Sequence, residues 1–244
     1  MGYPNFKNKH LHESLMHPVD YIKYKKFKGN FPKKYILIYQ ESVKNYFIKK
    51  YKPKKIKLYS LLTIYVYKDL GVVRMTGIGA SNASVILEEL IALGGRKFLN
   101  IGTAGGLNQE GIFVCSKALR DEGTSYHYLA KEKYSYPHKE LTQKLKSTLI
   151  KEKIAFSEGI TWTIDAPYRE TKVEVEYYAK KGVSTVEMEA SALFAVAKYR
   201  KVKIASAFVV SDFLGKKWSP NFHKFDVKKA QGKLIDVSIG CLRS

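Results

Sequence analysis

Residues 71–106 decide the fold, and they read GVVRMTGIGASNASVILEELIALGGRKFLNIGTAGG. The pattern predicts a strand, a glycine turn, a helix, a second strand and a second glycine turn, at residues 71–76, 77–81, 82–93, 97–101 and 102–106 respectively. Gly94 and Gly95 follow the helix, as glycine commonly does at a helix C-terminus. A strand, helix and strand of these lengths form a βαβ unit.

The rest of the chain continues this alternation. Strands are predicted at 35–39, 58–67 and 202–210, helices at 41–50 and 185–199, and a polar stretch at 215–233 before a last short helix. The run 202–210 is almost wholly apolar, which is typical of a strand covered on both faces. We expect an N-terminal arm over 1–34, with a short helix near 18–26, and a single domain over 35–244. The expected fold class is α/β, a three-layer α/β/α sandwich around a mixed, largely parallel central sheet.

The composition is that of a globular protein with an unusual charge. The 244 residues are 45% apolar and 27% charged, which excludes a disordered or fibrous chain. Lys and Arg number 43 against 22 Asp and Glu, giving a formal net charge of +21. Nucleic-acid sites favour Arg at base edges and group their cations, whereas here Lys is scattered through every segment. We therefore do not expect nucleic acid as the main partner.

Several further classes of protein are not expected. Cys115 and Cys241 lack any spacing motif, which indicates neither a disulfide framework nor a zinc site and fits a reducing cytoplasm. No pair of His residues has ligand spacing with a carboxylate, so no metal is expected. No apolar run approaches the roughly 18 residues of a membrane span, and no apolar leader follows Met1. These observations predict a soluble cytoplasmic protein.

Four polar segments are expected beyond the carboxyl ends of strands. Ligands bind at this place in open α/β sheets. The four segments are residues 76–81, 102–106, 165–170 and 211–212. The glycine turns could direct backbone N–H groups at an anion, or they could be tight connections only. Neither has the third glycine of a dinucleotide fingerprint, and the P-loop lysine is absent.

Several acidic residues and one histidine have both a functional and a structural interpretation. Asp212 directly follows a buried strand, where burial suits a carboxylate to general acid catalysis, but it could equally cap a following helix. Glu187 and Glu189 begin a predicted helix, where carboxylates also complement the helix dipole. Their spacing of two residues predicts that at most one points into any single pocket. His127 lies in a polar, aromatic run that is either a binding loop or an ordinary one.

Five motifs in order carry a family resemblance: GIGASNAS at 77–84, EELIALG at 88–94, IGTAGG at 101–106, VEMEA at 186–190 and VSD at 210–212. Together they resemble the nucleoside phosphorylase family, which includes purine nucleoside and uridine phosphorylases and methylthioadenosine nucleosidases. Residues 120–129 and 161–171 resemble its uridine-phosphorylase-like branch. The resemblance covers roughly residues 35–215. It implies a pentosyltransferase that cleaves the N-glycosidic bond of a purine or pyrimidine nucleoside with phosphate as co-substrate and no cofactor.

The resemblance also implies roles for particular residues. Asp212 would protonate or hydrogen-bond the base. The ribose hydroxyls would be held by Glu187, Met188 and Glu189. The base would be bound by Trp162, Pro167, Tyr168 and Arg169. The phosphate or nucleophile would be bound by Gly79, Gly102, Thr103 and Arg74.

Two departures from the family pattern concern phosphate. The phosphorylases carry a Gly-Asp-Pro-x-Arg turn after the first strand, whereas residues 39–43 read YQESV. They also place an arginine where this chain has Asn100, which is closer to the nucleosidase branch. Arg74, Arg120 or a lysine of a neighbouring subunit could replace the missing ligands. The alternatives are a nucleosidase that uses water and a catalytically inactive nucleoside-binding protein.

Assembly is the last expectation that the resemblance carries. Sites of this family borrow residues across a dimer contact, which implies a homo-oligomer, either a dimer or a hexamer. An arm with His10, His12 and His17 is a candidate donor to a neighbouring site.

Overall fold

The protein is described by a computed structural model covering residues 4–215, 217–222 and 224–244. Its strands are β1 Lys34–Ile38, β2 Lys54–Lys57, β3 Thr63–Tyr67, β4 Leu70–Arg74, β5 Lys97–Gly106, β6 Ile112–Asp121, β7 Tyr134–Ser135, β8 Phe156–Ile164, β9 Val183–Glu187, β10 Lys203–Leu214 and β11 Trp218–Pro220. Its α-helices are α1 Pro18–Tyr24, α2 Glu41–Tyr51, α3 Ala80–Ala92, α4 Lys139–Lys151, α5 Lys172–Lys180, α6 Ala190–Tyr199 and α7 Phe225–Arg243.

The strands form one mixed sheet that partly closes on itself. The order is β11-β10-β6-β8-β9-β5-β1-β4-β3-β2, and β7 pairs with β6. Because β10 also pairs with β5, the five strands β10, β6, β8, β9 and β5 complete a closed ring. The pairings of β1 with β4 and β5, of β5 with β10, and of β8 with β6 and β9 are parallel. The remaining described pairings are antiparallel.

Helices cover both faces of the sheet, as β1 illustrates. Tyr35 and Leu37 of β1 pack with α3 and α6 in one core cluster. Ile36 and Ile38 pack with α2, α4 and α7 in another. Successive side chains of a strand point to opposite faces, so a strand buried on both sides must be apolar throughout. The predicted α/β sandwich around a mixed sheet is confirmed.

The βαβ unit of residues 71–106 is present as β4, α3 and β5. The prediction of a second glycine turn is wrong, since residues 102–106 continue β5 and pair with β10 and β9. Close neighbours on both sides of the strand favour glycine here over larger residues, so these glycines mark crowding rather than a turn. The first turn is correct, and α3 begins at Ala80, two residues before the predicted start.

Three further elements differ from expectation. Residues 185–187, predicted as the start of a helix, belong to β9 instead, since Val183, Thr185 and Val186 are β-branched and buried. Strand β10 continues past residue 210 to Leu214 through a bulge at Ser211, so Asp212 lies within a strand and caps no helix. The last helix, α7, is 19 residues long rather than short.

The edge of the sheet holds a strand that the sequence did not predict. Residues 54–57 read KKIK and form β2, which is largely exposed. Strand β3 begins only at Thr63, because Leu58 N–H bonds to Leu62 O in a turn. Lysine on an edge strand discourages pairing with other chains. A strand rich in lysine also lacks the apolar pattern from which strands are predicted. Within the described residues, no helix is both long and apolar enough to cross a membrane.

Candidate active site

A cavity of about 790 Å³ opens where β5, β9 and β10 meet. Its walls come from six parts of the chain: residues 39–40 after β1, Ile78 before α3, residues 102–105 of β5, the segment 167–175, residues 186–189, and residues 208–215, 217–218 and 222. The carboxyl ends of the parallel strands β1, β5 and β10 lie at this edge of the sheet. This is where an open α/β sheet binds its ligand.

Gly105 lies on the cavity floor, where a side chain would not fit. A Cβ atom there would lie 3.1 Å from Val186 Cγ1, 3.5 Å from Asp212 Oδ2, and in overlap with Leu214 Cδ1. The absence of a side chain therefore lets β5 closely approach Val186 of β9 and Asp212 and Leu214 of β10.

Glu187 and Glu189 both line the cavity, against the expectation that at most one would. Helical spacing does not apply to them, since Glu187 ends β9 and Glu189 is the residue before α6 with φ −135°. Glu187 accepts hydrogen bonds from Thr163 Oγ1 at 2.5 Å, Glu189 N at 2.8 Å and Ala190 N at 2.7 Å. It thereby caps α6, and its carboxylate is held in one orientation.

Burial changes the charge of both groups. It raises the pKa of Glu187 to about 8, with a further contribution from the nearby Glu189. It also raises the pKa of Glu189 to about 7, although backbone N–H groups of Gly79 and Met188 oppose the rise. Gly79 N lies 2.5 Å from Glu189 Oε1. The two carboxylates therefore share the negative charge of the site near neutral pH.

Asp212 faces the cavity from β10 with both carboxylate oxygens engaged. Ser211 Oγ donates to Oδ1 at 2.9 Å, and Trp218 Nε1 donates to Oδ2 at 2.8 Å. Glu170 lies on the wall formed by segment 167–175, and its pKa is raised to about 7 by burial, by Asp212 and by Glu174. The sequence motifs do not single out Glu170 or Trp218, although Glu170 lies in the polar segment 165–170.

The floor beside β1 carries neutral polar groups. Gln40 Nε2 donates to Thr103 Oγ1 at 3.0 Å, and Tyr39 OH donates to Asn100 Oδ1 at 2.8 Å. The Tyr39 ring covers Gly102, where a Cβ atom would lie 3.1 Å from the ring. Burial, Glu189 and Glu187 together raise the pKa of Tyr39 well above its usual range, so the phenol stays neutral.

The family model described as Phosphorylase superfamily matches residues 42–243. The chain belongs to this superfamily. The resemblance of its motifs to the nucleoside phosphorylases is thereby confirmed.

Individual relatives include proteins named as uridine phosphorylase and as purine nucleoside phosphorylase. The chain is 28% identical over 153 residues to a uridine phosphorylase of Treponema pallidum (strain Nichols), covering 57% of this chain and 59% of that protein. It is 26% identical over 171 residues to a purine nucleoside phosphorylase of Plasmodium vivax (strain Salvador I), covering 67% and 69%. The match thus spans about three fifths of the Treponema relative's length.

The fold is shared with a solved structure of an AMP nucleosidase from Bacteroides thetaiotaomicron VPI-5482. The TM-score is 0.73 at 20% identity, covering 88% of this chain and 90% of the other. The α/β sandwich is therefore the superfamily fold. Since that fold occurs in proteins named as phosphorylases and as a nucleosidase, it does not by itself identify the nucleophile.

The residues expected to bind phosphate lie in different surroundings. Gly102 and Thr103 line the cavity, whereas Gly79 and Arg74 do not. Arg74 Nε forms an ion pair with Glu41 at 3.0 Å. Arg120 is buried and donates to Ser125 Oγ at 2.8 Å and Ala130 O at 2.7 Å, so it supports its own loop. Among the described residues, the cations that line the cavity are Lys172 and Lys217.

Only some of the residues expected to bind the base line the cavity. Pro167 and Tyr168 line the cavity, with Tyr168 fully exposed at its rim. Arg169 and Trp162 do not line it. Trp162 is buried in a core cluster with Val175 and donates to Asp121 Oδ2 at 2.9 Å. The role that we assigned to these residues stays a prediction.

His127 lies outside the cavity, at the end of the 3-10 turn Thr124–His127. Burial lowers its pKa, and the nearby Lys9 lowers it further. The described part of the chain contains no group of three or more His, Cys, Asp or Glu residues positioned to hold a metal ion.

Proposed function

We propose that this protein cleaves the N-glycosidic bond of a nucleoside with phosphate and releases the free base and ribose 1-phosphate. The observation that carries the proposal is the meeting of Glu187, Glu189 and Asp212 in one cavity, although Asp212 is more than twenty residues away along the chain. Superfamily membership and the phosphorylase names of the sequence relatives support it.

The chemistry requires charge on two sides of the scissile bond. As the bond between C1′ and the base nitrogen breaks, its electron pair moves to the base and positive charge develops on the ribose. Glu189 and Glu187 would hold the ribose hydroxyls and stabilise that positive charge, since both are buried and a charge acts more strongly away from bulk water. Asp212 would donate a proton to a purine nitrogen as the base leaves. A phosphate oxygen then forms the new bond to C1′.

Hydrolysis by water is a second candidate, and the cavity supplies a specific reason for it. Phosphate sites usually combine backbone N–H groups with arginine. Here Glu189 engages the Gly79 N–H, and no arginine among the described residues lines the cavity. The neutral Gln40 and Thr103 can bind water as well as phosphate. We therefore expect phosphate to bind weakly if it is the nucleophile.

Assembly and location complete the proposal. We infer a homo-oligomer, a dimer or a hexamer, in the cytoplasm, with a role in nucleoside salvage. A neighbouring subunit could then supply a phosphate-binding arginine, which no described residue of this chain contributes to the cavity. The exposed apolar side chains of the N-terminal arm, among them Phe6, Leu11 and Leu15, suit a contact with another subunit.

Replacement of Asp212 tests the proposed acid. We expect Asp212→Asn to lower the turnover of inosine by about 10²- to 10⁴-fold and that of uridine much less, because only the purine presents N7 to a general acid. Base release from each nucleoside is measured by chromatography. Equal losses on both nucleosides would indicate a structural role, and no release from any nucleoside by the wild-type protein would favour an inactive binding protein.

A further inference from the structure

The end of the sheet opposite the cavity carries a row of lysines. Strands β1, β5 and β10 are parallel neighbours with their carboxyl ends at the cavity, so their first residues lie at the opposite end. Lys97 of β5 pairs with Lys34 of β1 on one side and with Lys203 of β10 on the other. Neighbouring strands lie about 4.8 Å apart, and paired residues share a face, so the three lysines form one row across the sheet.

A second row of cations directly precedes the first. Arg96 N donates to Lys33 O at 2.8 Å, and Lys97 N donates to the same oxygen at 3.1 Å. Lys203 N donates to Arg96 O at 3.0 Å, and Lys201 lies two residues before Lys203. These bonds hold the starts of the three strands together. The six residues form what we name the basic strip: Lys33, Lys34, Arg96, Lys97, Lys201 and Lys203.

The strip is assembled by the sheet and has no counterpart in local sequence. Its cations come as short groups from three distant segments, 33–34, 96–97 and 201–203. The lysines that are scattered along the chain are therefore grouped in space at this one end. Grouped cations, unlike scattered ones, indicate an anionic partner.

Half of the strip is free to meet such a partner. In the part of the chain that the structure describes, three strip residues are exposed and form no ion pair: Lys33, Lys97 and Lys201. Lys34 pairs with Asp69 at 2.8 Å, and Lys203 pairs with Glu140 at 3.0 Å. Both carboxylates are largely exposed, and exposed ion pairs contribute little energy, so an external anion can compete for these two lysines as well.

Further lysines continue the line of the strip toward the free edge of the sheet. The start of β4 lies beside Lys34, and exposed Lys68 is in the turn just before it. Exposed Lys54 begins the edge strand β2 and pairs with Val66 of β3, next to the same turn. From Lys203 to Lys54 the line crosses β10, β5, β1, β4, β3 and β2, or roughly 24 Å along the sheet.

The make-up of this surface distinguishes among anionic partners. The apolar neighbours of the strip along the chain, Tyr35, Phe98 and Val202, are buried. The strip therefore offers neither the apolar centre of a protein interface nor side chains that insert into a membrane. A narrow line of cations matches a linear polyanion better than the plane of charge of a membrane. Lysine is a point charge without the planar fork of arginine, so it contacts phosphates without reading base edges.

We propose that the basic strip is a docking surface for the phosphodiester backbone of a single-stranded nucleic acid, which it binds without sequence preference. A single strand is flexible enough to follow the twisted end of a sheet. The inference goes beyond the proposed function and does not depend on it. Lys97 begins β5, and Thr103 lines the cavity roughly 20 Å further along the same strand.

Fluorescence anisotropy with a labelled single-stranded RNA of about 15 nucleotides tests the proposal. We expect a Kd of about 1–100 µM at physiological salt, and an affinity that falls steeply between about 50 and 200 mM salt, because bound lysines release counterions from the phosphates. A second RNA of unrelated sequence should bind within about threefold, since backbone contacts carry no sequence information.

Two variants with equal loss of charge separate the strip from the net charge of the chain. The strip variant combines Lys33→Gln, Lys97→Gln and Lys201→Gln. The control combines Lys151→Gln, Lys180→Gln and Lys229→Gln, at exposed positions of α4, α5 and α7. In the strip variant we expect about tenfold weaker binding or more, and a slope of log K against log salt that is shallower by about 2, from three contacts at about 0.7 each. The control should stay within about threefold of wild type.

Both variants should keep the wild-type free energy of unfolding and nucleoside turnover, because the replaced side chains are exposed and lie outside the cavity. Lys97→Gln alone is a milder second test, with an expected slope change of about 0.7. Equal weakening in the strip variant and the control would overturn the proposal, as would the absence of RNA binding at about 50 mM salt. Sedimentation with phosphatidylserine vesicles tests the membrane: vesicle binding that the strip variant loses, without RNA binding, would also overturn it.

Discussion

The cavity is dominated by carboxyl groups that are partly protonated near neutral pH. Burial raises the pKa of Glu187 to about 8 and those of Glu189 and Glu170 to about 7. At the scale of single residues, this matters because one cavity can then contain both hydrogen-bond acceptors and a proton source. Two of these groups are fixed by backbone N–H donors, so their geometry is set before any ligand binds.

Replacing Glu189 should affect catalysis more than stability. Glu189→Gln keeps an oxygen that can accept from Gly79 N–H, but it loses the charge that would bind the ribose hydroxyls in the transition state. We expect kcat/KM to fall by about 10- to 100-fold, corresponding to roughly 1.5–3 kcal/mol for a charged hydrogen bond. Steady-state kinetics and urea unfolding measure the two effects separately. Wild-type turnover in this variant would show that the ribose assignment is wrong.

The same residue predicts a pH dependence of stability. Its pKa is about 7 in the folded protein and near 4.5 when unfolded, so the folded state binds more protons between these values. Its stabilising contribution is fully present below about pH 4.5 and is lost as pH rises through 7. We expect the free energy of unfolding of the wild-type protein to fall, relative to that of Glu189→Gln, between pH 5 and pH 8. Parallel profiles for the two proteins would contradict the raised pKa.

At the scale of elements, the sequence predicted five of the eleven described strands, β1, β3, β4, β5 and β10, and it did not predict the helices α4 and α5. The apolar runs at 35–39 and 202–210 predicted β1 and the centre of β10, since buried strands must be apolar. The predicted ends of β5 and β10 were wrong, because residues 102–106 and Ser211-Asp212 belong to these strands. Close packing against neighbouring strands places glycine and polar residues there. Such packing depends on the partner strand, which local sequence does not reveal.

The same limit applies to the candidate site. Asp212, Glu187 and Glu189 could be selected because their motifs occur in order, and all three line the cavity. Gln40 could not be selected, because it enters the cavity through a long-range contact with Thr103. Trp218 could not be selected either, because it reaches Asp212 only through the pairing of β11 with β10, and the sequence did not predict β11. Arg74 appeared suitable for phosphate from its position near Gly77, yet its ion pair with Glu41 arises only in the folded chain.

A substitution at Gly105 tests the packing of β5 against β9 and β10. Gly105→Ala would place a methyl group in overlap with Leu214 and close to Val186 and Asp212. We expect about 1–3 kcal/mol of destabilisation, as for other overpacked positions, and reduced turnover because Asp212 is displaced. The control is Gly77→Ala, whose Cβ would make only ordinary contact with Asn82 at 3.8 Å. Urea unfolding that shows equal stability for both variants would contradict the close approach.

At the scale of the whole molecule, the closed ring of β5, β9, β8, β6 and β10 brings distant parts of the chain together. Residues 102–105, 186–189 and 208–214 meet because these strands pair around the ring, while the open part of the sheet supplies Tyr39 and Gln40. The chain has a net charge of +21, whereas four acidic residues line the described part of its cavity. A basic protein concentrates anions near its surface, and under the proposed function this would partly offset the lack of an arginine among the described residues that line the cavity.

The central claim is cleavage of a nucleoside in this cavity, and phosphate dependence tests it most directly. The wild-type protein is incubated with guanosine, inosine and uridine over a range of phosphate concentrations, and base and sugar products are separated by chromatography. We expect base release that rises with phosphate up to about the millimolar range or above, because no arginine lines the described part of the cavity, with ribose 1-phosphate as the product. Unchanged turnover in phosphate-free buffer with free ribose as the product would contradict phosphorolysis, and no base release from any nucleoside would contradict the claim altogether.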